Sequence, residues 1–151
     1  MARNPKPALF LSADEQEQVK AAVAAAELLT SGEIRVYMEA RIPWFRRDPY
    51  VRARQVFARL GMHATGERNG VLVYLATASH RFAIVGDEAL HRHVGDAFWR
   101  GTAEAMRSHF VDDRFGDGLA GAVAAIGAQL ARHFPRKTDD VNELSDDIAF
   151  G

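Results

Sequence analysis

Asn69-GVLVYLATASHRFAIVG-Asp87 is the stretch whose reading decides the fold. Asn69-Gly70 is turn chemistry, and residues 71–76 are an unbroken apolar run of strand length. Residues 77–80 make a short polar turn, and residues 81–85 form a second strand that closes on the Gly86-Asp87 corner. The stretch reads as a buried β-hairpin that the rest of the chain covers or extends.

Working outward toward the amino terminus, residues 33–39 alternate Ile34, Val36 and Met38 with Glu33, Arg35, Tyr37 and Glu39, the period of a strand wet on one side or near a sheet edge. Between this strand and the hairpin, Asp48-Pro49 pairs an N-cap with proline at the first helical position. Ala53, Val56, Phe57 and Leu60 give the buried stripe of a helix ended by Gly61. Strand, helix and strand form a crossover unit, which makes residues 33–39 and 71–76 parallel neighbours. An earlier helix opens on the capping box Ser12-Ala13-Asp14-Glu15 and carries Val19, Ala22, Val23 and Ala26 on one face. Ser31-Gly32 is its expected end.

Toward the carboxyl terminus the chain turns helical after Asp87: Phe98, Ala105, Met106 and Phe110 share a face over about residues 96–110, and Leu119, Val123, Ile126 and Leu130 share one over about 114–134; Pro135 stops the last helix. The predicted class is α/β: a three-layer α/β/α sandwich whose small mixed sheet combines a parallel crossover pair with an antiparallel hairpin, with helices on both faces. The expected division is an extension over residues 1–9, one domain over 10–135 and an acidic tail over 136–151. Apolar residues interleave with the acids of that tail, which points to part of it docking on the domain or on a partner.

At 151 residues the chain is long enough to bury about 70% of its unfolded surface in one core. A net charge of -1 gives no field that favours nucleic acid or an anionic membrane. The absence of cysteine excludes disulfides, thiolate metal sites and a cysteine nucleophile. No apolar run approaches the roughly 20 residues that span a bilayer, so a cytoplasmic protein is expected. Gly116-Asp117-Gly118-Leu119-Ala120-Gly121 matches G-x-G-x-x-G but lacks the preceding strand and following βα unit, so no nucleotide cofactor is expected. Its small residues read instead as a close helix contact. His91 and His93, two apart, lack a third ligand at a diagnostic spacing and read as solvated.

The predicted topology brings the start of the first strand (Glu33), the start of the second (Asn69) and the end of the third (Asp87) to one end of the sheet. Two carboxylates and an amide suit a hard cation, Ca²⁺ or Mg²⁺. Asp112, Asp113 and Asp117 add ligands if the last helix begins beside this edge. The alternative reading makes Asp113 an N-cap, Glu33 a solvated strand residue and Asp87 a turn former. At the opposite end, where open α/β sheets usually bind ligands, residues 40–48 carry Arg41, Trp44, Phe45, Arg46 and Arg47, guanidinium groups beside aromatics that suit an anion or a partner's acidic segment; the alternative reading is a mobile solvated loop.

Three motifs in order resemble the TPM domain family: Thr30-Ser31-Gly32-Glu33-Ile34 for its T-G-G-E-I, Asn69-Gly70-Val71-Leu72 for its N-G-V-L, and Gly86 followed by Phe115 to Leu119 for its glycine corner and F-x-x-G-L helix start. Gly95, Phe98-Trp99 and the ending from Asp139 to Gly151 resemble the short soluble bacterial members, which lack a signal peptide and a membrane helix. The resemblance implies an α/β/α domain, divalent-cation binding in some members and an acid-phosphatase label resting on a few. Two functions follow as expectations. One is a non-catalytic module that binds a divalent cation at Glu33, Asn69 and Asp87 and engages a protein partner through the Trp44 loop or the tail. The other is a metal-assisted phosphomonoester hydrolase in which Glu33, Asp87 and Asp117 hold the metal.

Overall fold

The computed structural model describes residues 2–45, 47–137 and 147–151. Its elements in chain order are α1 (Pro7–Phe10), α2 (Ala13–Glu27), β1 (Glu33–Glu39), α3 (Pro49–Arg59), β2 (Gly70–Ala76), β3 (Arg81–Gly86), α4 (Glu88–Val111), α5 (Phe115–His133) and β4 (Ala149–Phe150), with a 3₁₀ turn at Met62–Ala64. The sheet has four strands in the order β3-β2-β1-β4. β1 and β2 are parallel with Glu33 beside Gly70, and β2 and β3 are antiparallel with Val71 opposite Gly86. This is the α/β class and the mixed sheet read from the sequence.

The two faces are covered by different helices. Ile34, Val36, Met38, Val71, Val73 and Leu75 pack against α2, α4 and α5, whereas Tyr37, Leu72, Tyr74, Ala83 and Val85 pack against α3. β1 is therefore buried on both sides, not wet on one, because α3 lies over Tyr37 and Glu39. β4 adds a fourth strand outside β1, pairing Tyr37 with Ala149 and Met38 with Phe150 in parallel. Ile148 is buried beside it and Asp147 lies 3.4 Å from Lys20 Nζ, so the chain's last residues dock on the domain; the intervening tail lies outside the described residues.

Two boundaries differ from the sequence reading. α2 stops at Glu27, not at Ser31-Gly32. Its last carboxylate accepts the Ile34 amide at 3.0 Å, and Thr30 bridges to Pro135. Gly32 is small because Leu130 fills the adjacent space: an added Cβ would sit 2.7 Å from its Cδ2. α4 begins at Glu88, so the chain turns helical directly after Asp87 as read, but the helix runs from there rather than from about residue 96, because Asp87 is its N-cap; Gly95 (φ 74°, ψ 175°) kinks it. The pair His91 and His93 is consequently helical, and His93 stacks on His133 at 4.4 Å. Near the amino terminus, Arg3 holds Glu15 at 2.6 Å and Asp113 at 2.8 Å, and Phe10 enters the core.

Candidate functional site

The start of β1, the start of β2 and the end of β3 meet at one end of the sheet. The Asp87 amide donates to Gly70 O at 2.9 Å, so Glu33, Asn69 and Asp87 flank one residue on three adjacent strands. All three are buried, at 2%, 1% and 8% exposure. Asn69 Nδ2 donates to Ser31 Oγ at 3.4 Å. Asp87 Oδ1 accepts the Glu88 amide at 2.8 Å and caps α4. Its Oδ2 is buried and accepts no hydrogen bond; Arg68 Nε, on a half-exposed side chain, is 3.4 Å away.

Asp117 does not join them. α2 and α5 run parallel, with Gln18 Nε2 donating to Asp117 Oδ1 at 2.8 Å and Gly127 against Ala26. The Gly32 contact with Leu130 puts the carboxyl end of α5 beside the start of β1. Asp117 lies 13 residues before Leu130 on α5, so at 1.5 Å per residue it is about 20 Å from that edge. Asp113 is drawn away by Arg3 and is not the N-cap of α5; Arg114 occupies that position. Among the described residues no group of three or more His, Asp or Glu side chains is arranged to hold a metal. The edge offers two carboxylates, an amide and the Ser31 hydroxyl.

The loop at the other end exposes Trp44 at 81% and Phe45 at 56%, stacked edge to face at 5.6 Å. Arg41 and Arg47 are exposed beside them, the Arg47 carbonyl accepting from Arg81 at 2.9 Å; Arg46 lies outside the described residues.

Two features had no place in the sequence reading. Under α3, Glu39 takes both Nε and Nη2 of Arg52, at 2.8 and 2.9 Å, together with the Tyr74 hydroxyl. Burial pushes the Glu39 carboxyl up, but Arg52 and Tyr74 outweigh it and hold the group below its ordinary value; burial and Glu39 together push the Tyr74 phenol up. A carboxylate so fully matched is a structural group, not a general base. The available signal was Arg52 at helical spacing beside Ala53 and Val56. The second feature is a cleft of about 710 Å³ along the outer edge of β3, walled by Arg54 and Phe57 of α3 and by Trp99 and Arg100 of α4, with Asp87 at its end.

Residues 6–129 match the family model described as the TPM domain. The chain belongs to the TPM-domain family. Its T-S-G-E-I and N-G-V-L motifs are the segments that carry Glu33 and Asn69 to the sheet end. This TPM domain is similar to the NMR structure of BA42 protein from the psychrophilic bacterium Bizionia argentinensis, at 39% identity and a TM-score of 0.81, covering 94% of this chain and 96% of that one. Two further solution structures share its fold: the N-terminal domain of cg2496 from Corynebacterium glutamicum (17% identity, TM-score 0.58, 80% of this chain and 74% of that) and the N-terminal domain of a protein from P. gingivalis (18%, 0.60, 84% and 82%). A search of curated proteins finds no match. No helix among the described residues is long and apolar enough to cross a membrane.

Proposed function

We propose that this TPM domain binds a divalent cation, Ca²⁺ or Mg²⁺, at Glu33, Asn69 and Asp87, and acts by engaging a protein partner rather than by turnover. The supporting observation is Asp87 Oδ2, a buried carboxylate oxygen that accepts no hydrogen bond, at a sheet end where Glu33 and Asn69 are also buried. A buried carboxylate oxygen that accepts no hydrogen bond and meets only a long ion pair is under-satisfied, and a bound cation is a partner that offsets the cost. Arg68 caps the oxygen from an exposed side chain, and its withdrawal opens a path for the ion. The all-oxygen donor set selects a hard cation over zinc. The Trp44–Phe45 pair, apolar and exposed beside Arg41 and Arg47, is a surface for the partner.

The test is an amide NMR titration of metal-free protein with Ca²⁺ and Mg²⁺, followed by p-nitrophenyl phosphate turnover under the same conditions. Saturable shifts at Glu33, Asn69, Gly70 and Asp87 without turnover are the expected result. Absence of shifts there sinks the cation site. Metal-dependent turnover that falls by orders of magnitude in Asp87→Asn replaces the binding module with the metal-assisted hydrolase.

A further inference from the structure

β3 is the last strand of the sheet, and its outer side is open. The Asp87 amide points inward to Gly70 O at 2.9 Å, and the antiparallel register pairs Val85 with Leu72 and Ala83 with Tyr74. Alternation along the strand then turns the peptide groups of Phe82, Ile84 and Gly86 outward. None of these outward groups takes a partner among the described residues. Exposed edges usually carry a proline, a bulge or an inward-pointing charge that prevents pairing, and residues 82–86 carry none.

From Ile84 to Gly86 the edge is instead the floor of the cleft, with α3 walling it from one layer and α4 from the other. The Gly95 kink brings Trp99 across Gly86, where an added Cβ would meet the indole at 2.4 Å. Trp99 Nε1 donates to His91 Nδ1 at 3.0 Å, which fixes the ring. The charges of the lining are unevenly matched. Asp87 lies against Arg68 at 3.4 Å and Glu88 against Arg92 at 2.8 Å, while Asp96 is 3.6 Å from Nε2 of His91, the ring whose Nδ1 accepts from Trp99. Arg54 and Arg100, on opposite walls, have no counter-ion among the described residues.

We infer that this groove takes an extended acidic segment of a partner protein as an added strand on β3. Backbone hydrogen bonds to Ile84 and Gly86 supply the pairing, and side chains alternating toward the two walls bring carboxylates to Arg54 and Arg100. Five residues from Phe82 to Gly86 span about 16 Å, enough for a segment of five or six residues. The inference deepens the binding reading by naming the partner's chemistry, but it needs no cation.

The test is an amide NMR titration of the full chain, in chelator, with a capped hexapeptide of the order glutamate-valine-glutamate-glutamate-valine-glutamate. Saturable shifts at Phe82, Ile84, Gly86 and the Trp99 indole are expected. They should vanish with the lysine-for-glutamate peptide and with a peptide N-methylated at alternate residues, and the affinity should fall about tenfold in Arg100→Glu. Arg54→Glu is the second variant should the first unfold. Equal binding of the N-methylated or the lysine peptide overturns strand addition. So do identical shifts with inorganic phosphate alone, which mark a small-anion site, and edge shifts that grow with protein concentration alone, which mark pairing between copies. Because chelator is present, failure here leaves the cation reading standing.

Discussion

Asp87 has two oxygens in two roles, and one substitution separates them. In Asp87→Asn an oxygen remains where Oδ1 accepts the Glu88 amide at 2.8 Å, so the cap on α4 survives, while the charge and acceptor at Oδ2 are lost. For the fold alone this is a small change. Arg68, the cation facing Oδ2, is 54% exposed, and a pair of that kind is worth at most about 1 kcal/mol. For a chain of this size that is about 3 °C of melting temperature. Asp87→Ala also removes the cap and costs about 1 kcal/mol more. A bound cation acts on a different scale: at one hundred times its Kd it stabilises the native state by about 2.7 kcal/mol, or about 8 °C at the same conversion. Thermal unfolding of metal-stripped protein, with and without Ca²⁺ or Mg²⁺, should show that rise in the wild type and not in Asp87→Asn, whose melting temperature without metal stays within about 3 °C of the wild type. A wild type that does not respond to either cation, or an Asn variant that keeps the full rise, refutes the reasoning.

Three other outcomes follow from the packing. Glu39→Gln leaves the buried Arg52 facing a neutral partner and should cost about 3–5 kcal/mol by thermal unfolding, against about 1 kcal/mol for Tyr74→Phe; equal losses would mean that the ion pair is open to water in solution. Burial raises the Glu15 carboxyl, but Arg3 and the Ser12 and Gly116 amides bring it down to about 2 from 4.5. A carboxyl depressed in the folded state contributes stability that is present above its unfolded pKa and lost as pH falls through the folded one, so urea midpoints should drop between pH 4.5 and 2, and drop less in Glu15→Gln. Parallel pH curves for the two proteins would remove the Arg3 strap from the account. Deleting residues 147–151 strips Ile148 and β4 from β1 and should cost about 2 kcal/mol in urea unfolding; an unchanged midpoint would mean that the segment does not dock.

What could be read in advance was what local chemistry dictates. Asn69-Gly70, the apolar run and Gly86-Asp87 delimit β2 and β3 because turn propensity and burial on both faces act within a few residues. The Ser12–Glu15 box opens α2 for the same reason. That the chain turns helical after Asp87 was legible, but the helix segment reads as starting late, at about residue 96, because Leu90 and Val94 are the sparse apolar positions among the charges and histidines of residues 88–94. The expectation for Asp117 failed on a different kind of fact. Which end of α5 meets the sheet edge depends on α5 lying parallel to α2, set by Gly127 against Ala26 and Gly32 against Leu130, contacts between residues a hundred positions apart. β4 needs the same long reach, since its two residues find a strand only by meeting β1. The β3 groove is made of peptide groups, and outward-pointing amides have no letter in a sequence.

The two proposed sites share β3, one at its end and one along its edge, and thermodynamics constrains how they can affect each other. Gly86 lies between Asp87 and the outward face of Ile84, with Trp99 pressed on it. A cation that shifts Asp87 therefore shifts the floor of the groove. If it changes the affinity for the acidic hexapeptide by some factor, the peptide must change the affinity for the cation by the same factor. The sign follows from charge: neutralising Asp87 removes a carboxylate facing an acidic ligand, so the cation should tighten the peptide, severalfold at low salt and less as salt screens the pair. Peptide titrations in chelator and in saturating Ca²⁺, matched with Ca²⁺ titrations with and without peptide, measure both arms. A factor of one on both arms would show that the two sites do not communicate, and a cation that weakens the peptide would show the two competing for the same groups.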